Sequence, residues 1–206
     1  MSGRTKLLAM DLEGVLVPEV WIAFAEKTGI KELRLTTRDI SDYDVLMKHR
    51  LGILKENSLR LSDIQAVIET MEPLPGAIEY LNWLRERCPF VILSDTFYEF
   101  AAPFMRKLGH PMLLCNSLVT DEQGTILDYR MRQLDGKRHA VLAFKQLNFD
   151  VLAMGDSFND TAMLSEAGLG ILFRPSEKVL QEFPQFPVAR EYDEVKNILS
   201  EAFKAC

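Results

Sequence analysis

The sequence predicts an α/β fold, a Rossmann-like parallel sheet core with an inserted helical cap. Short, almost wholly apolar runs alternate along the chain with amphipathic helical patterns, the rhythm of a parallel sheet covered by helices on both faces. The stretch from residue 17 to 72 breaks that rhythm and holds no convincing strand. The 206 residues, 48% hydrophobic and 26% charged, can bury a core without disulfides or a structural metal, and they fit one domain with a sizeable insertion. The expected division is a core of residues 1–16 and 73–206 with a cap of residues 17–72.

Strands are expected at Leu7–Asp11, Phe90–Ser94, Met112–Cys115, Val151–Gly155 and Leu169–Phe173. Helices are expected at Ala77–Arg87 after Pro75-Gly76, at Tyr98–Leu108 before Gly109, at Arg138–Leu147, and at Asn159–Ala167 before Gly168. Within the cap, apolar spacing marks helices at Trp21–Lys27, Val45–Leu54 and Ser62–Met71, with Ser62 as an N-cap. Leu118–Thr120 and Thr125–Arg132 flank Asp121-Glu122-Gln123-Gly124 and read as a β-hairpin.

Charge and composition exclude several functions. With 30 acidic and 24 basic residues the net charge is −6, so a global basic field for nucleic acid is absent. The apolar stretch Leu7–Pro18 is short and interrupted by Asp11 and Glu13, which argues against a membrane span. No signal-peptide pattern follows, and a cytoplasmic location is expected. Cys88, Cys115 and Cys206 form no CxxC pair, and His49, His110 and His139 lack metal-ligand spacing. Met10, Met154 and Met163 read as core.

The chemistry gathers at strand ends. In open α/β sheets ligands bind beyond the carboxyl ends of the strands. Here those ends carry Asp11-Leu12-Glu13-Gly14, Ser94-Asp95-Thr96 and Gly155-Asp156-Ser157-Phe158-Asn159-Asp160, and Lys137 opens the helix before the fourth strand. Singly, each Asp could be a turn or N-cap residue and Lys137 a solvated lysine. Together, converging acids repel one another unless a hard cation such as Mg2+ lies between them. Such a cation recruits phosphate, a carboxylate can attack phosphorus, and a lysine and a hydroxyl can hold the phosphoryl oxygens.

In order, Asp11-Leu12-Glu13-Gly14-Val15, Ser94, Lys137 and Gly155-Asp156 with Asn159-Asp160 resemble the four motifs of the haloacid dehalogenase-like (HAD) superfamily of phosphohydrolases. Within it, the phrases Asp11–Glu19, Ile92–Phe100 and Glu182–Pro187 resemble the phosphoserine phosphatases, in particular the variant that also transfers the phosphoryl group to homoserine. The resemblance implies that Asp11 is the nucleophile, and that the carboxylates of Asp11 and Asp156 with the Glu13 carbonyl hold Mg2+. It implies further that Ser94 and Lys137 bind the phosphoryl group, Asn159 and Asp95 line its pocket, and the Glu13 side chain is the general acid and base. Asp160 is either an orienter of the metal site or a helix-start residue.

Glu13 departs from the family pattern, which usually has Asp there. Reference acidities differ by only ~0.4 unit, whereas one methylene changes reach by about 1 Å, a displacement that can alter rates ~100-fold. Weaker activation of water by Glu13 would leave an aspartyl-phosphate open to a bound alcohol. An amino-acid phosphate also needs an acid for its ammonium and an arginine for its carboxylate, and Glu19 and Arg50 are the candidates. L-phosphoserine, with homoserine as acceptor, is the expected small-molecule pair. A homodimer is left open. The alternatives are a HAD phosphatase of another small metabolite, such as a sugar phosphate or a methionine-salvage intermediate, and a phospho-acceptor signalling module, which would need neither an acid/base nor a cap.

Overall fold

A computed structural model describes residues 3–36, 39–40 and 42–204. The apolar runs form one sheet: β1 (Lys6–Met10), β2 (Phe90–Phe97), β3 (Met112–Thr120), β4 (Ile126–Arg130), β5 (Asp150–Gly155), β6 (Leu169–Phe173) and β7 (Val188–Ala189). Their order is β4-β3-β2-β1-β5-β6-β7, with every pair parallel except β3 and β4. Successive side chains of a strand point to opposite faces, and here both faces are buried. Leu8, Met10, Ile92 and Met154 enter one apolar cluster, while Leu7, Ala9, Val91 and Ala153 enter the other. That two-sided burial is why these strands read as unbroken apolar runs. Strand order reverses at β1, so the crevice for a ligand opens where β1 ends between β2 and β5.

Helices α4 (Ala77–Arg85), α5 (Tyr98–Lys107), α6 (Gly136–Gln146) and α7 (Thr161–Glu166) fall close to the predicted positions. Some expectations are corrected. The runs at Met112–Cys115 and Leu118–Thr120 are one strand, because Asn116 and Ser117 stay in the ladder, and its far half pairs with β4 as the hairpin. Asn159 lies in a 3-10 turn over Phe158–Asp160, and the following helix starts only at Thr161. Beyond Phe173 the chain adds α8 (Glu177–Glu182), β7 and α9 (Tyr192–Lys204). Tyr192, Val195 and Leu199 supply the buried stripe of α9, at spacings of three and four residues.

The insertion comprises α1 (Val20–Thr28), a 3-10 turn (Lys31–Arg34), α2 (Tyr43–Glu56) and α3 (Leu61–Thr70). Asp42 caps α2, its carboxylate accepting from the amides of Asp44 (2.9 Å) and Val45 (3.1 Å). Ser62 is not the N-cap of α3. That helix begins at Leu61, and the Asp63 carboxylate reaches back to accept from the Arg60 amide at 2.7 Å. The amide of Leu74 donates to the Leu16 carbonyl at 2.9 Å, so the chain leaves and re-enters the sheet region side by side. Phe24, Leu33, Met47 and Ile64 share an apolar cluster with one sheet face. The hairpin meets these helices too, through Leu61 N–H to the Gly124 carbonyl (2.9 Å) and the Tyr129 hydroxyl to Asp44 (2.7 Å).

Cys88 and Cys115 are free and buried, while Cys206 lies outside the described residues. Met10, Met154 and Met163 are fully buried. Among the described residues no helix is long and apolar enough to cross a membrane, and no histidine joins a group able to hold a metal.

Candidate active site

Parallel strands ending at a common edge bring the first carboxylates together. The amide of Asp11 donates to the Met154 carbonyl (3.0 Å), which extends the ladder one residue beyond β1 and sets Asp11 beside the end of β5. The chain then turns sharply through Gly14, whose φ is +76°. A Cβ there would sit 2.7 Å from the carboxyl carbon of Asp156, so glycine is required by backbone conformation and by space.

Lys137 is the cation of this edge. Placed in the first turn of α6 and only 5% exposed, it is neither surface nor solvated. Its ammonium lies 2.8 Å from Asp160, 3.0 Å from Asp11 and 3.5 Å from Asp95. Burial alone would lower its pKa, but the surrounding carboxylates outweigh burial and hold it well above the usual lysine value. Asp11 is shifted in the opposite sense to a salt-bridged surface acid. Burial raises its pKa, and the repulsion of Asp160, Asp156 and Asp95 adds to this against the pull of Lys137.

Asp160 is fully buried, and both its oxygens are occupied. One accepts from Lys137, and the other accepts from the amides of Asp156 (2.9 Å) and Ser157 (3.1 Å). Oxygens of Asp11, Asp156 and Asp160 come within 4.8 Å of one another, close enough to hold a cation. Asp160 is the most heavily hydrogen-bonded of the three, through Lys137 and the amides of Asp156 and Ser157. Asp11, Asp95 and Asp160 surround Lys137, the one buried lysine among the described residues, and a hard divalent cation would cancel the negative excess that they and the buried Asp156 create. The donor set fits Mg2+.

Ser94 lies inside β2, which runs on to Phe97 with a register shift against β3. Its hydroxyl accepts from the Thr96 amide at 3.3 Å. Asp95 accepts from the Asn159 side-chain amide at 2.8 Å, which ties the ends of β2 and β5 together.

The insertion supplies the facing wall. Glu13 accepts from the amide of Val20, the first residue of α1, at 3.0 Å. Burial of its carboxyl, followed by the charge of Glu19, raises its pKa to about 7, and the Val20 amide and the Thr96 side chain only partly oppose this. A carboxyl with that pKa exchanges protons near neutral pH. Arg50 is 6% exposed, and its guanidinium lies 4.5 Å from the Trp21 ring centroid. One terminal nitrogen donates to the Leu35 carbonyl at 2.7 Å, whereas its Nε has no hydrogen-bond partner. Burial lowers its pKa to about 10, so it remains a cation at neutral pH.

Every site residue predicted from the sequence, from Asp11 and Glu13 through Glu19, Arg50, Ser94 and Asp95 to Lys137, Asp156 and Asn159, lines one cavity of about 1000 Å³. Asp160 lies behind that wall. Sequence reasoning missed Trp21, Tyr43 and Thr96, which line the same cavity. Thr96 was adjacent to a named motif and could have been found there, but nothing local distinguishes Trp21 or Tyr43 from ordinary core aromatics.

The model of the haloacid dehalogenase-like hydrolases matches residues 5–168, the stretch that carries all of these strand-end groups. The chain belongs to that family. It is 61% identical over 191 residues to a phosphoserine phosphatase of Pseudomonas syringae pv. tomato, covering 93% of this chain and 81% of that one. Identity to the phosphoserine phosphatase ThrH of Pseudomonas aeruginosa is 60% over 191 residues, covering 93% of each. A solved phosphoserine phosphatase carrying a phospho-aspartyl intermediate analogue superposes with a TM-score of 0.78 at 22% identity, over 95% of this chain and 99% of that one, and shares the fold. The α/β core with HAD motifs expected from the sequence is therefore the architecture of this chain, and the chain is a hydrolase.

Proposed function

We propose that the chain hydrolyses L-phosphoserine to L-serine and phosphate through an aspartyl-phosphate on Asp11, and that it also passes the phosphoryl group to homoserine. The observation that carries this reading is the placement of Lys137, 3.0 Å from Asp11, in the cavity that Glu13, Glu19 and Arg50 also line. One wall suits a phosphoryl group and the other an amino acid, and the relatives named above are phosphoserine phosphatases.

In the first step a carboxylate oxygen of Asp11 attacks phosphorus and the serine oxygen–phosphorus bond breaks, its electron pair taking a proton from the Glu13 carboxyl. Lys137 and the Ser94 hydroxyl balance the phosphoryl oxygens, and Asn159 holds Asp95 at the pocket edge. In the second step the Glu13 carboxylate takes a proton from water or from the homoserine hydroxyl. That oxygen attacks phosphorus, the acyl-phosphate bond breaks and Asp11 is regenerated. Asp11, Asp156 and the Glu13 carbonyl would hold Mg2+, which when bound supplies positive charge to the phosphoryl oxygens. Glu19 would meet the substrate ammonium and Arg50 its carboxylate. Residues 17–72 act as the cap and residues 1–16 and 73–206 as the core, in a cytoplasmic enzyme.

The test follows labelled phosphate from L-phosphoserine, in the presence of Mg2+, into free phosphate and phosphohomoserine. Label in both products, with free phosphate falling as homoserine rises, is the expected result. Hydrolysis without transfer would leave a plain phosphoserine phosphatase, and no turnover of phosphoserine would overturn the substrate assignment.

A further inference from the structure

One hydroxyl joins the two walls of the cavity. Tyr43, the first residue of α2, donates from its phenol oxygen to the backbone carbonyl of Asp95 at 2.8 Å. The same carbonyl accepts from the Asn116 side-chain amide at 3.1 Å, and Asn116 is itself fixed because its side-chain oxygen accepts from the Arg132 amide at 3.0 Å. The Asp95 carbonyl is thus held from the sheet side by Asn116 and from the insertion side by Tyr43. On either side of Asp95 lie Ser94 and Thr96, both of which line the cavity with Glu13. The Tyr43 ring packs edge-on against Tyr129 of the hairpin, with centroids 5.7 Å apart, so its packing and its hydroxyl bond are separate contacts.

We propose that Tyr43 is a positioning residue, its hydroxyl latching α2 onto the Asp95 carbonyl so that closure of the insertion and alignment of Ser94 and Thr96 occur together. The inference deepens the reading of this site as a phosphoserine phosphatase, and its consequence for substrate binding rests on that reading. Burial keeps the phenol protonated far above neutral pH, so the donor is always available. A net hydrogen bond contributes about 1 kcal/mol, or about fivefold in an equilibrium.

The experiment compares Tyr43→Phe with Tyr129→Phe in the full chain. Tyr43→Phe keeps the ring and removes only the hydroxyl. Tyr129→Phe also removes one hydroxyl, but one bonded to the exposed Asp44, which Lys48 already pairs. Amide hydrogen exchange over residues 43–50 in the substrate-free protein should accelerate about fivefold in Tyr43→Phe and less than twofold in Tyr129→Phe. With L-phosphoserine and Mg2+, KM should rise about fivefold in Tyr43→Phe with kcat within about twofold, and stay unchanged in Tyr129→Phe. Unaltered exchange in Tyr43→Phe, or equal effects of the two variants, would overturn the latch. A wild-type chain that leaves phosphoserine untouched would sink the substrate reading alone, since the exchange comparison still decides the latch.

Discussion

The two walls of the cavity hold their charges in different ways. On the sheet side, Lys137 makes contacts of 2.8, 3.0 and 3.5 Å with three carboxylates, and Asp160 behind it has both oxygens taken. On the insertion side, Arg50 is equally buried but contacts only neutral partners, the Trp21 ring, the Leu35 carbonyl and the Met47 sulfur, and its Nε has no partner. The sheet side is preorganised, with its groups locked by one another before any ligand arrives, the condition under which electrostatic stabilisation of a transition state is most effective. The insertion side holds a desolvated cation with one donor, the Arg50 Nε, that has no partner.

Substitutions can sharpen or break that contrast, beginning at the reacting atom. Asp11→Asn keeps the shape of the side chain and removes the nucleophilic carboxylate, so kcat should fall by about 10^4-fold or more. Acid-quenched protein should also lose labelled phosphate bound to the chain, and label retained at wild-type levels would move the nucleophile elsewhere.

Lys137→Met and Arg50→Met form the next comparison. Removing Lys137 leaves three carboxylates facing one another without a cation. The loss should be about 3–5 kcal/mol, seen as a fall in Tm of about 10 °C in thermal unfolding. Arg50→Met exchanges a buried charge with an unsatisfied nitrogen for an apolar chain of similar length, and Tm should move by about 3 °C or less. Its effect should fall on the KM for phosphoserine instead, about 10–100-fold, the range for a hydrogen bond to a charged group. Equal losses of Tm in the two variants would erase the distinction between the walls.

The smallest expected effect is at Glu13, which belongs to the strand-end motif yet accepts from the first amide of α1 at 3.0 Å. Glu13→Asp shortens its reach by about 1 Å, too far to keep the Val20 amide, and frees the carboxyl towards water. The ratio of hydrolysis to transfer should rise about fivefold, the equivalent of one net hydrogen bond. An unchanged ratio in the product-partition assay would remove the extra methylene as the reason for transfer.

Much of the sheet side could be read from the chain because its information is local. Apolar runs define β1, β2 and β5, polar residues mark where each ends, and a parallel sheet with its reversal at β1 must set those ends side by side. Gly14 belongs to the same logic, although the reason a side chain is excluded there, the Asp156 carboxyl at 2.7 Å from a Cβ, comes from a residue far along the sequence. The long β2 was harder to read, because its polar stretch Ser94-Asp95-Thr96 stays in the strand while serving the cavity. The terminal helix α9 is marked by a stripe of Tyr192, Val195 and Leu199 but carries no motif residue.

By itself the sequence determined the order of elements and the identity of the charged groups at the strand ends, since period, turn residues and strand termini are encoded within a few residues of one another. Tertiary structure alone decided how those charges are satisfied. Lys137 is a motif residue in the sequence, but only the sheet places Asp11, Asp95 and Asp160 around it. Arg50 is a candidate in the sequence, but its enclosure by Trp21 and Leu35 is not, and Tyr43 reads as any half-buried aromatic until Asp95 comes within 2.8 Å. The reason is range. Backbone periodicity is a property of neighbouring residues, whereas desolvation and hydrogen-bond partnership depend on atoms that only the folded chain brings together.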